Sequence, residues 1–132
     1  MKKFTSEKQK IGLIGEDIAC KFILKEDFKI LERNFTRKCG EIDIIAEKNN
    51  IIQFFEVKTV SYETLEDVSY ETNYYKPEDN IHSWKIKRLS RTIQLYLLEK
   101  NEEKDWQFNI ICVFLSLKDK KAKVNVLYNI VL

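Results

Sequence analysis

The chain has 132 residues, 44% hydrophobic and 33% charged. That is enough chain for one domain with a real core, and the composition is that of a soluble globular protein rather than a disordered one. A formal net charge of +2 does not by itself argue for nucleic acid, so any such case rests on where the charges sit.

Cys20, Cys39 and Cys112 are an odd number of thiols, far apart and without CxxC spacing. They read as free cysteines in a reducing compartment, not as a disulfide frame or a zinc site. The opening MKKFTSEKQK is polar and leads into no apolar run of signal-peptide length. No segment approaches the ~18 apolar residues of a membrane span. A cytoplasmic protein with no membrane attachment is the expectation.

In chain order, residues 1–6 form a short lysine-bearing arm. From about Glu7 to Glu26 the apolar positions Ile11, Ile14, Ile18, Phe22 and Ile23 recur at helical spacing, with Glu16 off the centre of that stripe. Phe28 to Phe35 (FKILERNF) reads as a first strand. EIDIIAE (41–47) and IIQFFEVKTV (51–60) read as the second and third. Asn49-Asn50 between them is a two-residue hairpin signal, because Asn tolerates the positive φ of a type I′ turn. Residues 61–80 are acidic, rich in tyrosine and hold the only proline. They are expected to form a functional flap, a short extra element or a mobile insertion. A second helix is expected over 83–100, with Ser83 as N-cap and an apolar stripe of Leu89, Ile93, Tyr96 and Leu97. WQFNIICVFLSL (106–117) and KVNVLYNIVL (123–132) read as the last strands, with KDKKAK between them as a turn. The order is αβββαββ, a single α/β domain over 1–132 with no repeat and no linker.

Reflecting the chain about the Asn49-Asn50 turn sets Asp43 opposite Glu56. Opposed residues share a face, with Cβ atoms ~4.5–5.5 Å apart, and Lys58, two further along, shares it as well. Two opposed carboxylates repel. A divalent cation, a shared proton or nearby cations could compensate, and a hard cation with oxygen ligands, Mg²⁺ or Mn²⁺, fits the pair. A solvated hairpin face with a surface Lys–Glu pair is the ordinary explanation of such charges. Against it, Ile45 and Phe54 continue the charged face while Phe55 and Val57 make the other face apolar. Both faces therefore read as covered, and charges kept on a covered strand point to a site. The opposition depends on register, which a one-residue slip would undo.

The segments Gly15-Glu16 with Ala19, Arg33-Asn34, GEIDIIA (40–46), FEVKT (55–59) and KIKRLSRTIQLYL (85–97) together resemble the PD-(D/E)xK nuclease superfamily. The resemblance is closest to its YraN-like, Holliday-junction-resolvase-related branch, and it covers most of the chain in order. It implies a restriction-endonuclease-like fold with a central mixed sheet flanked by helices. It implies a catalytic set of Glu16, Asp43, Glu56 and Lys58, with Mg²⁺ or Mn²⁺ held by Asp43, Glu56 and the carbonyl of Val57. Lys58 would orient or activate the attacking water, and Glu16 would bind a metal-bound water or a second metal. Two positions depart from the pattern: Val60 stands where an arginine is usual, and Asn109 where an aspartate is usual.

Nucleic-acid contacts are expected from Lys85, Arg88 and Arg91, near one face of the second helix with Lys87 beside it. Arg33, with Arg37 and Lys38, forms a second, weaker cluster. A solvated helix face is the ordinary explanation of such a run; the resemblance singles out Lys85. His82, the only histidine, is not needed by this chemistry. Tyr62, Tyr70, Tyr74 and Tyr75 could stack bases, though packing over the flap explains them equally well. The expected function is a metal-dependent endonuclease hydrolysing phosphodiester bonds in DNA, with branched or single-stranded structures as candidate substrates. The alternative is a non-catalytic nucleic-acid-binding or protein-interaction module on the same fold. DNA is the expected partner, and a homodimer is left open.

Overall fold

Ser6 turns the chain into its first helix by a reciprocal cap. Its hydroxyl accepts from the backbone N–H of Gln9, and the Gln9 side chain reaches back to the Ser6 N–H, so two of the orphan donors at the helix start are satisfied. The computed structural model describes residues 6–62 and 83–132. All but Ser6 of the expected arm, nearly all of the expected flap, His82, Tyr70, Tyr74 and Tyr75 lie outside the described residues.

Helix α1 spans Glu7–Lys25. It ends in a Schellman turn: Phe28 N–H donates to the Ile23 carbonyl and Asp27 N–H to that of Leu24, with Asp27 at φ 66° where glycine is usual. Strands β1 (Lys29–Arg37), β2 (Gly40–Lys48) and β3 (Ile51–Tyr62) follow, then helix α2 (Ser83–Glu99) and strands β4 (Trp106–Ser116) and β5 (Lys121–Leu127). Ser83, expected to precede the second helix as its cap, is its first residue. The last strand stops at Leu127 rather than running to Leu132. Asn129 at φ 55° breaks it, and Ile130 N–H donates to the Phe108 carbonyl at 2.7 Å. Ile130 and Leu132 thereby close the α2-side core.

The sheet is mixed, with strand order β1-β2-β3-β4-β5. β3 and β4 run parallel and the other neighbours antiparallel. The parallel pair needs a crossover, and the segment containing α2 supplies it. Asn49 and Asn50 have φ 53° and 64°, as a type I′ turn requires. This is the expected α/β architecture, consistent with a restriction-endonuclease-like fold.

One core lies between α1 and the sheet face carrying Ile44, Ala46, Phe55, Ile111 and Val113. The other lies between α2 and the opposite face, with Phe35, Ile42, Ile45, Phe54, Phe108 and Ile110. β3 therefore alternates between two buried faces, as expected from its apolar runs. Of the expected apolar stripe, Ile23 is buried and Ile11, Ile18 and Phe22 pack partly buried against this α1-side core, while Ile14 is exposed. Gly15, Ala19 and Cys20 are buried beside them, and Gly15 is small where the helix lies almost on the sheet. A Cβ on Gly15 would fall 2.6 Å from Thr59 Cγ2 and 2.8 Å from Thr59 Cβ.

Candidate active site

The β2–β3 ladder keeps one register from Lys48↔Ile51 to Ile44↔Phe55. Beyond Ile44, β2 stays paired with β1 out to Arg37↔Gly40, and β3 stays paired with β4 out to Tyr62↔Ser116. The sheet forks there, and Asp43 and Glu56 occupy the fork, one step past the last ladder pair. Asp43 is thus not a plain cross-strand partner of Glu56. Its carboxylate Oδ2 accepts the Val57 N–H at 2.7 Å, a donor that would otherwise face the opening strand unpaired. Across β2 lies Asn34, at φ 53° in the middle of β1. Ile42 and Ile44, two apart, belong to opposite cores. The local breakdown of alternation turns Asp43 out of both cores and into the fork.

Glu56 is 8% exposed and is held by two lysines. Lys85 Nζ donates to its Oε1 at 2.8 Å, and Lys58 Nζ lies 3.8 Å from the same atom. Asp43 and Glu56 line two cavities. The first, ≈ 250 Å³, opens toward α2 and is also walled by Gly40, Glu41, Lys85 and Arg88. The second, ≈ 510 Å³, opens toward α1 and is also walled by Lys8, Glu16, Val57 and Thr59. The carboxylate pair stands between the two cavities, one on the side of each helix.

The electrostatics follow from burial and crowding. Burial, then the charge of Glu56, raises the Asp43 carboxyl to about 8, with the Val57 N–H pulling the other way. Glu16 is raised by burial and then by Glu41, against the attraction of Arg33. Lys58 is lowered, by burial and then by the adjoining Lys85, while Glu56 and Asp43 oppose the change. For Lys85 burial works downward, but hydrogen bonding to Glu56 and Lys58 and the nearby carboxylates outweigh it, and its proton is held more tightly.

Glu16, Asp43, Glu56, Val57 and Lys58 therefore come together around the fork, Glu16 from α1 and the others from the hairpin. The basic residues separate. Lys85 belongs to the carboxylate cluster itself, and Arg88 walls the same cavity while its Nε donates to the Cys39 carbonyl at 3.1 Å. Arg91 instead borders a different surface groove with Ser90, Gln94, Leu95 and Leu98. Helical geometry explains the split, since each step of three residues turns the side chain ~60° further from the sheet-facing line of Lys85, Leu89 and Tyr96. Arg33 lies on the α1 side, paired with Asp17 at 3.0 Å, and not with the α2 cations. Arg37 is bound to Glu99 by two hydrogen bonds of 2.9 and 2.7 Å.

Three further residues add to what the sequence indicated. Lys85 was read as a backbone-binding lysine, yet it touches Glu56. Glu41 was unremarked, yet it walls the α2-side cavity and, with Glu16, a third one. Thr92 is buried, and a Cβ on Gly40, whose φ is 152°, would fall 3.0 Å from its Oγ1, so the glycine leaves room for α2 there. The two departing positions lie outside the fork. Val60 packs with Cys112, Phe114 and Tyr62. Asn109, fully buried, donates to Gln53 at 2.9 Å and accepts the Asn129 N–H at 3.0 Å, which ties the C-terminal turn to the sheet.

The family described as "Uncharacterised protein family UPF0102" matches residues 15–113, a span that runs from Gly15 through every residue of the fork. A UPF0102 protein of Campylobacter jejuni subsp. jejuni (strain 81-176) is 39% identical over 102 residues, 77% of this chain and 81% of the relative. One of Campylobacter lari is 37% identical over 117 residues, 89% of this chain and 93% of the relative. One of Campylobacter hominis is 38% identical over 121 residues, 92% and 93% of the two chains. By this match and these identities the chain belongs to the UPF0102 family, the YraN-like branch that its motifs resemble.

Proposed function

We propose that the protein is a metal-dependent endonuclease that hydrolyses phosphodiester bonds in DNA, with branched or single-stranded structures as its substrates. The observation that carries this reading is the pair Asp43–Glu56 at the sheet fork, lining cavities on both sides with two lysines against one carboxylate. Mg²⁺ and Mn²⁺ suit an all-oxygen donor set, and Mg²⁺ is typically held by one or two carboxylates while keeping water and sharing substrate phosphate. Asp43 and Glu56 are such a set, with the Val57 carbonyl as the third ligand implied by the resemblance. Among the described residues no three His, Cys, Asp or Glu side chains gather at metal-binding spacing. The fit is thus to an open site completed by water and phosphate, with Glu16 outside the direct ligands.

When bound, the cation would polarise the phosphate and lower the pKa of a water. The rest falls to the chain. Lys58, its proton loosened by burial and by Lys85, orients the attacking water and stabilises charge developing on the phosphate oxygens. Glu16 faces the α1-side cavity and can hold a further water there. Arg88, walling the α2-side cavity, meets the backbone without reading sequence.

The test is cleavage of duplex, single-stranded and four-way-junction DNA with Mg²⁺ or Mn²⁺. Wild type is expected to cut at least one of them. Asp43→Asn and Glu56→Gln, folded by circular dichroism, are expected to lose ~10³-fold or more in rate. Binding without cutting would replace this reading with the non-catalytic module on the same fold. Val60, apolar where the family pattern has arginine, is the feature that favours that second reading.

A further inference from the structure

Two ammonium groups converge on one carboxylate oxygen. Lys85 Nζ is 2.8 Å from Glu56 Oε1 and Lys58 Nζ is 3.8 Å from it. The lysines come from different layers: Lys58 from β3, two residues past Glu56, and Lys85 from the early part of α2, across the cavity that Arg88 also walls. Asp43 spends its Oδ2 on the Val57 N–H, so Glu56 Oε1 is the oxygen that Lys85 claims. Mg²⁺ binds carboxylate oxygen at ~2.0–2.1 Å. With Lys85 still in place, dication and ammonium would stand about 3–4 Å apart in a half-buried site, where like charges repel strongly.

We infer that Lys85 is a positioning residue, a displaceable counter-ion that holds Glu56 until a divalent cation takes that oxygen and is then released to a phosphate oxygen of the nucleic-acid backbone. This rests on the endonuclease reading above and adds to it a coupling between cation and substrate. The cation must compete with Lys85 for Glu56. Once it has won, a positive charge that had been neutralised faces the cavity beside Arg88. Cation binding therefore strengthens phosphate binding through Lys85, and by linkage phosphate binding strengthens cation binding by the same factor. Lys85 differs in this from Lys58, whose strand position fixes it beside Glu56.

The experiment measures Mn²⁺ affinity of the full chain by calorimetry, without nucleic acid, for wild type, Lys85→Met, Lys85→Gln, Lys85→Arg and Arg88→Met. Loss of one charge-assisted hydrogen bond to the competing ligand is expected to tighten Mn²⁺ binding roughly tenfold in Lys85→Met and Lys85→Gln. Lys85→Arg, which keeps the charge, should stay near wild type, and Arg88→Met should shift by less than about threefold. In a second arm with Ca²⁺, single-stranded DNA affinity should rise on adding the ion in wild type and rise several-fold less in Lys85→Met. Equal or weaker Mn²⁺ binding in Lys85→Met, or an equal gain in Arg88→Met, would overturn the inference while leaving the endonuclease reading standing. A wild type that binds no Mn²⁺ would overturn both.

Discussion

Asp43→Asn should make the metal-free protein more stable at pH 8 while changing it little near pH 4. In the fold the Asp43 carboxyl is raised to about 8, by burial first and then by the charge of Glu56. In an unfolded chain an aspartate titrates near ~3.9. Between those values the native state holds a proton that the unfolded state has released. The stability associated with that proton is complete below pH ~4 and is lost as pH climbs toward 8. At ~1.4 kcal/mol per pH unit the whole interval would amount to about 6 kcal/mol. The fork is open to water through two cavities, and Lys58 and Lys85 stand close enough to turn toward a charged Asp43, so roughly 2 kcal/mol is expected. For a chain of this length that is a Tm difference of ~6–10 °C. Asparagine keeps an oxygen for the Val57 N–H but has no charge to desolvate. Melting both proteins in chelator from pH 4 to 9 and subtracting the curves cancels the other titrating groups. Mg²⁺ at pH 8 should then raise the Tm of wild type and leave Asp43→Asn unmoved. A difference curve flat with pH, or a variant less stable than wild type at pH 8, would refute the argument that Asp43 carries an uncompensated charge.

On the endonuclease reading Lys58→Ala should lower cleavage by ~10²–10³-fold while DNA affinity in Ca²⁺ stays within about twofold, since Lys58 would act on the water and the developing charge; parallel rate and binding titrations decide it. Gly15→Ala should cost ~2–3 kcal/mol by forcing α1 off Thr59, seen as a lower urea midpoint, and Thr59→Gly in the same chain should return part of it. Asn50→Ala should cost about 1 kcal/mol, because φ is 64° there, whereas Asn50→Gly should be neutral or better. Of the three thiols, Cys39 should react first with a maleimide, because Cys20 and Cys112 are buried and burial pushes the Cys112 thiol up to about 12; labelling followed by mass spectrometry reads the order.

The hairpin was legible because its signals are local. Asn-Asn between apolar runs determines the turn, the turn sets the register, and the register brings Asp43 and Glu56 together. The end of that register was not legible. Nothing in EIDIIAE announces that Asp43 leaves the ladder where Ile42 and Ile44 turn to opposite cores. The apolar stripe of α1 was legible for all but Ile14, which is exposed. What spacing missed is Gly15, Ala19 and Cys20 on the buried face, because spacing finds large apolar residues and at Gly15 the helix comes very near the sheet. The last strand was over-extended because YNIVL is as apolar as a strand, whereas Asn129 turns it back over Phe108.

Lys85, Arg88 and Arg91 show the same limit from the side of charge. In sequence they form one basic run, and a helical wheel puts them near one face. The fold gives them three situations: one bound to Glu56, one on the cavity wall, one on another groove. What separates them is the approach of α2 to β2, and the residue that permits it is Gly40. Each helix reaches the fork over a glycine, α1 over Gly15 at Thr59 and α2 over Gly40 at Thr92. Each glycine is followed by a glutamate, Glu16 or Glu41, and both glutamates wall one further cavity with Asn34 and Thr36. A glycine–glutamate step thus does two jobs on each side of the fork. The missing Cβ brings a helix down to the sheet, and the next residue places a carboxylate at the opening. An alanine at Gly15 would therefore be felt as lost stability and, through displacement of Glu16, as a change in the charge that a metal-bound phosphate would meet.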